Sequence, residues 1–210
     1  MLWIALAAQL SAPVPTNLID WFVYDDFPAY LINRDPGIWA VGVRLTVGPD
    51  GTIQRCDVES SSGDSGLDEL SCRKVSESAK FRPAISGGAA APGVYRTYIG
   101  WDVTKAPAAT SRVSNADLNL SVASLPPGIA SPAAVRVMFA VDGQGRMTSC
   151  VSEPTQPFEQ VENNPALVTV ACDQLMKSYK PVPAKDSAGN AVPSVQDAIV
   201  RFSIQSQAAR

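Results

Sequence analysis

Four cysteines are the residues of this sequence with the most distinctive chemistry. They are Cys56, Cys72, Cys150 and Cys172. An even number of cysteines fits two disulfides, one zinc site of four thiolates, or buried free thiols. No two of them form the C-x-x-C pair that is typical of zinc ligands, so two disulfides are the leading interpretation. Two disulfides require an oxidising compartment.

Histidine is absent from the sequence. Its absence excludes Ser-His-Asp and Cys-His nucleophile pairs, His metal ligands and His-based pH switches. Ser60–Ser62 has no accompanying base and Gly143–Gly145 has no following lysine, so turns explain both segments better than a nucleophile or a phosphate loop does. We therefore expect no enzyme, no metal site and no small-molecule cofactor.

The composition is that of a globular protein with a buried core. Of its 210 residues 46% are hydrophobic and 18% are charged, which argues against a disordered chain. The net charge is −3. A nucleic-acid-binding domain carries a basic surface, so nucleic acid is not an expected partner.

One pattern of residues occurs twice, with an offset of 94 positions at its start that grows to 100 in its helix. Residues 41–58 (VGVRLTVGPDGTIQRCDV) and 135–152 (VRVMFAVDGQGRMTSCVS) each alternate apolar residues, reach a glycine-containing turn and continue in a second run. This pattern predicts a β-hairpin. Residues 67–79 and 167–179 then place apolar side chains on one side of a helix, and a proline follows each.

Strands over residues 95–103 and 196–204 complete the order strand, strand, helix, strand in both copies. One cysteine of each copy lies in the second strand, and the other lies at the edge of the apolar side of the helix. A helix that lies on a sheet brings such positions within disulfide distance. The predicted bonds are Cys56–Cys72 and Cys150–Cys172, and free thiols are the weaker alternative because the positions match in both copies.

Several short motifs follow one another in the first copy. They are Asp26–Ala29 (DFPA), Val43–Val47 followed by Gly48–Gly51 (GPDG), Cys56–Val58 (CDV), Ser60–Gly63 (SSSG), Leu67-Asp68 (LD) and Phe81–Ala84 (FRPA). In this order they resemble the C-terminal domain of TonB-type energy transducers over residues 24–103. The second copy retains only the apolar pattern, the cysteines and the Pro-Ala end, and is interpreted as a diverged duplicate.

The resemblance implies an α+β fold with two tandem TonB C-terminal-like units. Each unit would be a three-stranded antiparallel sheet with one helix packed on it. The expected domains are residues 20–104 and residues 115–206, joined by a linker of residues 105–114. Neither a long Pro-rich spacer nor a convincing membrane helix accompanies them, unlike in the family.

In that family the domain lies in the periplasm, and its exposed last strand captures a short extended segment of an outer-membrane receptor, the TonB box. The resemblance therefore implies a partner-binding strand that consists of Val94, Tyr95, Arg96, Thr97, Tyr98, Ile99, Gly100 and Trp101. Tyr95, Tyr98 and Trp101 are expected to line the binding edge with aromatic side chains, called here the aromatic lip. Strand alternation must nevertheless place about half of these side chains in the core. The equivalent edge of the second copy is Asp197–Ile204.

We thus expect a periplasmic protein-binding module in transmembrane transport, whose partner is a segment of an outer-membrane receptor or of another envelope protein. The alternative is an envelope scaffold whose edge strands are occupied by packing within the chain or in a homodimer. Neither a binding module nor a scaffold needs the catalytic acid and base residues that an enzyme requires.

The apolar N-terminus predicts export. Residues 1–12 contain ten apolar residues, and no charged residue precedes Asp20. Pro13 and Pro15 interrupt this run well short of the roughly 20 residues of a membrane-spanning helix. Residues 1–19 are therefore expected to be a signal-like leader. Because the n-region lacks lysine and arginine, a buried N-terminal segment is the alternative.

Overall fold

The computed structural model describes residues 10–32, 38–110, 116–153 and 161–205. The helices are α1 (Ala29–Ile32), α2 (Ser65–Ser78) and α3 (Pro165–Ser178), with 3-10 turns at Leu18–Asp20 and Tyr24–Asp26. The strands are β1 (Leu10–Ser11), β2 (Val14–Pro15), β3 (Ile38–Val47), β4 (Ile53–Ser60), β5 (Phe81–Arg82), β6 (Ala84–Ser86), β7 (Ala89–Ala91), β8 (Gly93–Asp102), β9 (Lys105–Thr110), β10 (Leu118–Val122), β11 (Ala133–Val141), β12 (Met147–Ser152), β13 (Ala184–Lys185), β14 (Ala191–Val192) and β15 (Ser194–Ile204).

The first unit is an antiparallel sheet in the order β4-β3-β8, with α2 packed on one face. Strand side chains point alternately to the two faces of a sheet, so every second residue of β3 lies under the helix. The residues of β3 that are buried in this way are Val41, Val43, Leu45 and Val47. Leu67 and Val75 of α2 close this core from the other side.

The second unit has the order β12-β11-β15, with α3 packed on its sheet. Its core contains alternate residues of β11 together with Leu167, Ala171 and Leu175 of α3. The α+β fold is therefore confirmed, and the order strand, strand, helix, strand is present in both units. That the second unit is a diverged duplicate of the first stays a prediction.

Both predicted disulfides are present in the structure. The Cys56–Cys72 bond joins β4 to α2, and the Cys150–Cys172 bond joins β12 to α3. The Cα atoms are 5.6 Å apart in each bond. Each helix is thus tied covalently to the outermost strand of its own sheet, and no cysteine is free.

The two sheets meet edge to edge and form one eight-stranded sheet. Gly93 of β8 pairs in parallel with Val195 of β15, and the Val195 amide donates to the Pro92 carbonyl at 3.0 Å. A Cβ atom at Gly93 would lie 2.7 Å from the Ala84 Cβ and 2.8 Å from the Pro13 Cδ. Only glycine therefore allows this close junction.

Arg44 of β3 connects the units on the face opposite α2. Its side chain is buried, and its Nη2 donates to the Val182 carbonyl at 2.7 Å and to the Gln196 Oε1 at 3.3 Å. Its Nε lies 3.7 Å from the Glu59 carboxylate. A charged side chain at this depth needs partners, and the second unit supplies two of them.

The N-terminal segment from Leu10 onward is part of the fold. Strand β1 pairs with β6, and β2 pairs with β5. The Asn17 amide caps the end of α2 by donating to the Ser78 carbonyl and accepting from the Lys80 amide. Residues 10–19 of the predicted leader (residues 1–19) thus add strands to the first unit. Residues 1–9 lie outside the described part, and the leader stays a prediction. Within the described ranges, no helix is long and apolar enough to span a membrane.

Candidate functional site

Strand β8 carries all eight residues of the predicted partner-binding strand. It pairs antiparallel with β3 over its whole length, from Gly93 opposite Val47 to Asp102 opposite Ile38. One edge of β8 is therefore used by β3. Only the opposite edge, called here the outer edge of β8, can accept a further strand.

The side chains of β8 alternate between the face under α2 and the opposite face. Those under α2 are Tyr95, Thr97, Ile99 and Trp101. Trp101 is fully buried, and its Nε1 donates to the Ser71 Oγ at 2.9 Å. The Tyr95 ring packs against the rings of Trp21 and Phe81. The expected aromatic lip is therefore wrong for Tyr95 and Trp101, because alternation places both on the core side.

The other four residues of the predicted strand face away from α2. They are Val94, Arg96, Tyr98 and Gly100, of which only Val94 is buried. The Tyr98 ring lies across Gly42 of β3, where a Cβ atom would be 3.0 Å from the Tyr98 Cε1. Arg96 and Tyr98 are thus the long side chains that this strand presents on the face opposite the helix.

The outer edge of β8 is paired with β9. Tyr98 lies opposite Thr110, Ile99 opposite Ala109, Gly100 opposite Ala108 and Asp102 opposite Lys105. The expected linker of residues 105–114 is therefore a strand from Lys105 to Thr110, and residues 111–114 lie outside the described part of the chain. The expectation of an exposed last strand is wrong over Tyr98–Asp102, because the chain reverses after β8 and supplies the neighbouring strand itself.

The corresponding edge of the second unit is covered by β10. This strand runs parallel to β15, from Leu118 opposite Val200 to Val122 opposite Ile204. Asp117 precedes β10 and makes two hydrogen bonds with the backbone of Ile199. The Asp117 backbone amide donates to the Ile199 carbonyl, and the Asp117 carboxylate accepts from the Ile199 amide. Most of the predicted edge Asp197–Ile204 is therefore occupied.

The two covering strands differ in how they are anchored. Leu118, Leu120 and Val122 of β10 pack against the core of the second unit. These side chains are partly buried, so each gains part of the roughly 1.5–3 kcal/mol that complete burial of a leucine or valine contributes. Among residues 105–109 of β9, Pro107 alone is buried, and Ala109 alone packs against the core of the first unit. Both side chains are small, so β9 gains much less from burial.

The turn between β8 and β9 also holds β9 weakly. Its two residues, Val103 and Thr104, have negative φ angles, because every residue with positive φ in the described chain is a glycine. Two-residue hairpin turns match the twist of their strands best when a central residue has positive φ. A bulge next to this turn interrupts the pairing between Gly100 and Asp102. β9 therefore has the less favourable connection to the strand that it covers.

A polar pocket of about 430 Å³ opens beside the outer edge of β8. Arg96 crosses it, with its Nε 2.9 Å from Glu59 and its Nη1 2.6 Å from Asp117. Burial lowers the pKa of Arg96, but Asp117 and Glu59 outweigh this effect and raise the pKa above its ordinary range. Sequence analysis missed Glu59 and Asp117, because they come from β4 and from the segment before β10 and no local pattern joins them to Arg96.

The loop before α2 explains two of the motifs noted in the sequence. The Asp68 carboxylate accepts hydrogen bonds from the Ser61 hydroxyl at 2.5 Å and from the Ser62 amide and hydroxyl at 2.9 and 2.8 Å. Asp64 caps the helix by accepting from the Leu67 amide. The Ser-Ser-Gly and Leu-Asp motifs are thus one structural unit that starts α2.

Replacing Asp68 with asparagine is expected to lower the free energy of unfolding by about 1 kcal/mol at neutral pH. Burial raises the pKa of Asp68, but the hydrogen bonds from Ser61 and Ser62 outweigh it and hold the pKa below its ordinary value. A carboxylate with a lowered folded-state pKa stabilises the fold above its unfolded pKa, and this contribution is lost as the pH falls through the folded pKa.

Urea denaturation at pH 7 and at about pH 2 measures this effect. The difference between wild type and Asp68→Asn is expected to become smaller at the lower pH, where protonation of Asp68 is favoured. Glu69→Gln, which removes the exposed neighbouring carboxylate, is expected to change stability little at either pH. A difference for Asp68→Asn that is the same at both pH values would mean that its charge does not stabilise the loop.

Residues 40–102 match a family described as the Gram-negative bacterial TonB protein C-terminal domain. The match contains β4, α2 and β8 and almost all of β3, which are the elements of the first unit. The resemblance of the first unit to the TonB C-terminal domain is thereby confirmed. Members of this family are envelope-associated protein-interaction domains rather than enzymes. No curated protein and no solved structure matches the chain.

Proposed function

We propose that this chain is a periplasmic protein-binding module that captures an extended segment of an outer-membrane or other envelope transport partner at the outer edge of β8. The family match that spans this strand carries the proposal. Main-chain hydrogen bonds to an added strand supply affinity, and the alternate side chains supply selectivity. The two disulfides support an oxidising compartment such as the periplasm.

Capture at this edge requires the partner to replace β9. The apparent affinity is then reduced by the fraction of molecules in which β9 is released. The small side chains and the unfavourable turn of β9 keep this loss modest. Because β10 is anchored by leucines, the edge of β15 stays closed, and we assign partner capture to the first unit alone.

Releasing β9 is expected to strengthen binding of a labelled peptide with a TonB-box sequence. Ala109→Asp places a carboxylate against the core of the first unit and disfavours β9. Ala108→Asp adds the same charge to an exposed position of the same strand and serves as the matched control. We expect Ala109→Asp to raise the affinity about tenfold over wild type, which corresponds to about 1.4 kcal/mol, and Ala108→Asp to leave it nearly unchanged.

Fluorescence anisotropy measures the affinity, and NMR of the full-length protein locates the peptide. Shift changes are expected along Val94–Trp101, together with unfolded shifts for β9 in Ala109→Asp. The proposal is contradicted if folded Ala109→Asp with a released β9 binds no peptide at high micromolar concentration, or if the shifts change only at another surface.

The second candidate is an envelope scaffold, and the pairing of both last strands within the chain favours it. In that case β9 serves as a permanent strand. Hydrogen exchange distinguishes the candidates, since a scaffold protects the amides of β9 as strongly as those of β10, whereas an exchangeable β9 is protected much less. Light scattering tests the homodimer that a scaffold function allows.

A further inference from the structure

We infer that the outer edge of β8 selects extended segments with small side chains at two positions, those that β9 fills with Pro107 and Ala109. This inference rests on the proposed function and concerns which segment the same site accepts. Strand β9 shows, residue by residue, what fits against this edge. It also shows the direction, because β9 runs antiparallel to β8.

The first restricted position is that of Ala109. This residue lies directly opposite Ile99, whose side chain is completely buried on the face under α2. Residues directly opposite each other in an antiparallel pair share one face, with Cβ atoms about 4.5–5.5 Å apart. Ala109 accordingly packs against the core of the first unit. Ala109 is half-buried, and a longer side chain here would press against a core that is already filled.

The second restricted position is that of Pro107. The bulge places two residues, Ala106 and Pro107, between the pairs of Gly100 and Asp102, and of these two only Pro107 is buried. Strand β9 lies against the 3-10 turn Tyr24–Asp26. The Tyr24 hydroxyl donates to the Val103 carbonyl at 3.3 Å, so this turn lies close to the start of β9. The turn and the core leave room for a compact side chain only.

The positions next to Pro107, those of Ala106 and Ala108, are not restricted. Ala106 and Ala108 are exposed, so larger side chains there would extend into solvent. Lys105 lies 3.3 Å from the Asp102 carboxylate, but its side chain is 72% exposed and the ion pair adds little affinity. The segment that fits is thus extended, with small residues at two alternate positions, tolerance between them and an optional basic residue near Asp102.

A synthetic copy of β9 tests this inference. The blocked peptide of residues 104–111, TKAPAATS, is titrated into labelled full-length Ala109→Asp and followed by NMR. Two further peptides carry leucine in place of either Ala109 or Ala108. We expect the peptide with leucine at position 109 to bind at least about tenfold more weakly, because overpacking a filled apolar site is unfavourable. The peptide with leucine at position 108 is expected to bind within about twofold of the parent.

The outcomes separate this inference from the proposed function. Equal binding of the three peptides, or tighter binding with leucine at position 109, overturns the inference. Binding of the TonB-box peptide without binding of TKAPAATS also overturns it and leaves the proposed function standing. If β9 stays paired in Ala109→Asp, the double variant Pro107→Asp/Ala109→Asp is used in these titrations instead of the single variant. If a folded variant with β9 released binds neither peptide, both the inference and the proposed function are overturned.

Discussion

Replacing Trp101 with alanine is expected to lower the free energy of unfolding by about 3–5 kcal/mol. The indole is fully buried and contacts the rings of Phe22 and Phe27, with ring centroids 5.4 and 6.2 Å apart. Its Nε1 donates to the Ser71 hydroxyl, which is itself buried in α2. The substitution therefore leaves a cavity and also deprives the buried Ser71 hydroxyl of this hydrogen-bond donor. Urea denaturation followed by far-UV circular dichroism measures the change.

Two variants separate the contributions of volume and hydrogen bonding. Trp101→Phe retains an aromatic ring but loses the N–H donor. This variant is expected to lower the free energy of unfolding by about 1–2 kcal/mol. Trp39→Ala removes an indole that lies opposite Trp101 on β3 but is only partly buried, and a smaller loss than for Trp101→Ala is expected. If Trp101→Ala were no more destabilising than Trp39→Ala, Trp101 would belong to an exposed lip, as the sequence first suggested, rather than to the core.

The main elements of both units could be predicted because periodicity determines them. Alternation in residues 41–58 requires a hairpin with one buried face, and the apolar side of residues 67–79 requires a helix on that face. These two requirements are enough to place Cys56 and Cys72 next to each other. The observed helix begins two residues earlier than expected, at Ser65, because Asp64 caps it.

The state of the functional edge could not be predicted in the same way. Lys105–Thr110 is composed of small residues around a proline, and this composition is typical of a linker as much as of a strand. Its position beside β8 also involves contacts with the 3-10 turn Tyr24–Asp26, which comes from a distant part of the sequence. Residues 10–19 were predicted to be a leader for a similar reason, since apolar composition cannot distinguish an exported segment from one that pairs with β5 and β6.

Removing the disulfides is expected to have the largest combined effect on the whole chain. The bonds close segments with separations of 16 and 22 residues, and each is expected to contribute about 3 kcal/mol through the entropy of the unfolded chain. The double variants Cys56→Ala/Cys72→Ala and Cys150→Ala/Cys172→Ala are expected to lose similar amounts, since loop-closure entropy depends only weakly on length. Urea denaturation of each variant measures these losses.

Because the two bonds lie in separate cores, their contributions are expected to add, and the quadruple variant is expected to lose about 6 kcal/mol. That loss is comparable with the total stability of about 5–15 kcal/mol of a typical domain, so the quadruple variant is expected to be largely unfolded at 37 °C. Wild type treated with a thiol reductant is the matched control and should show the same loss without any change of side chain volume. A quadruple variant that unfolds at the same urea concentration as the oxidised wild type would show that the helices are held by packing alone.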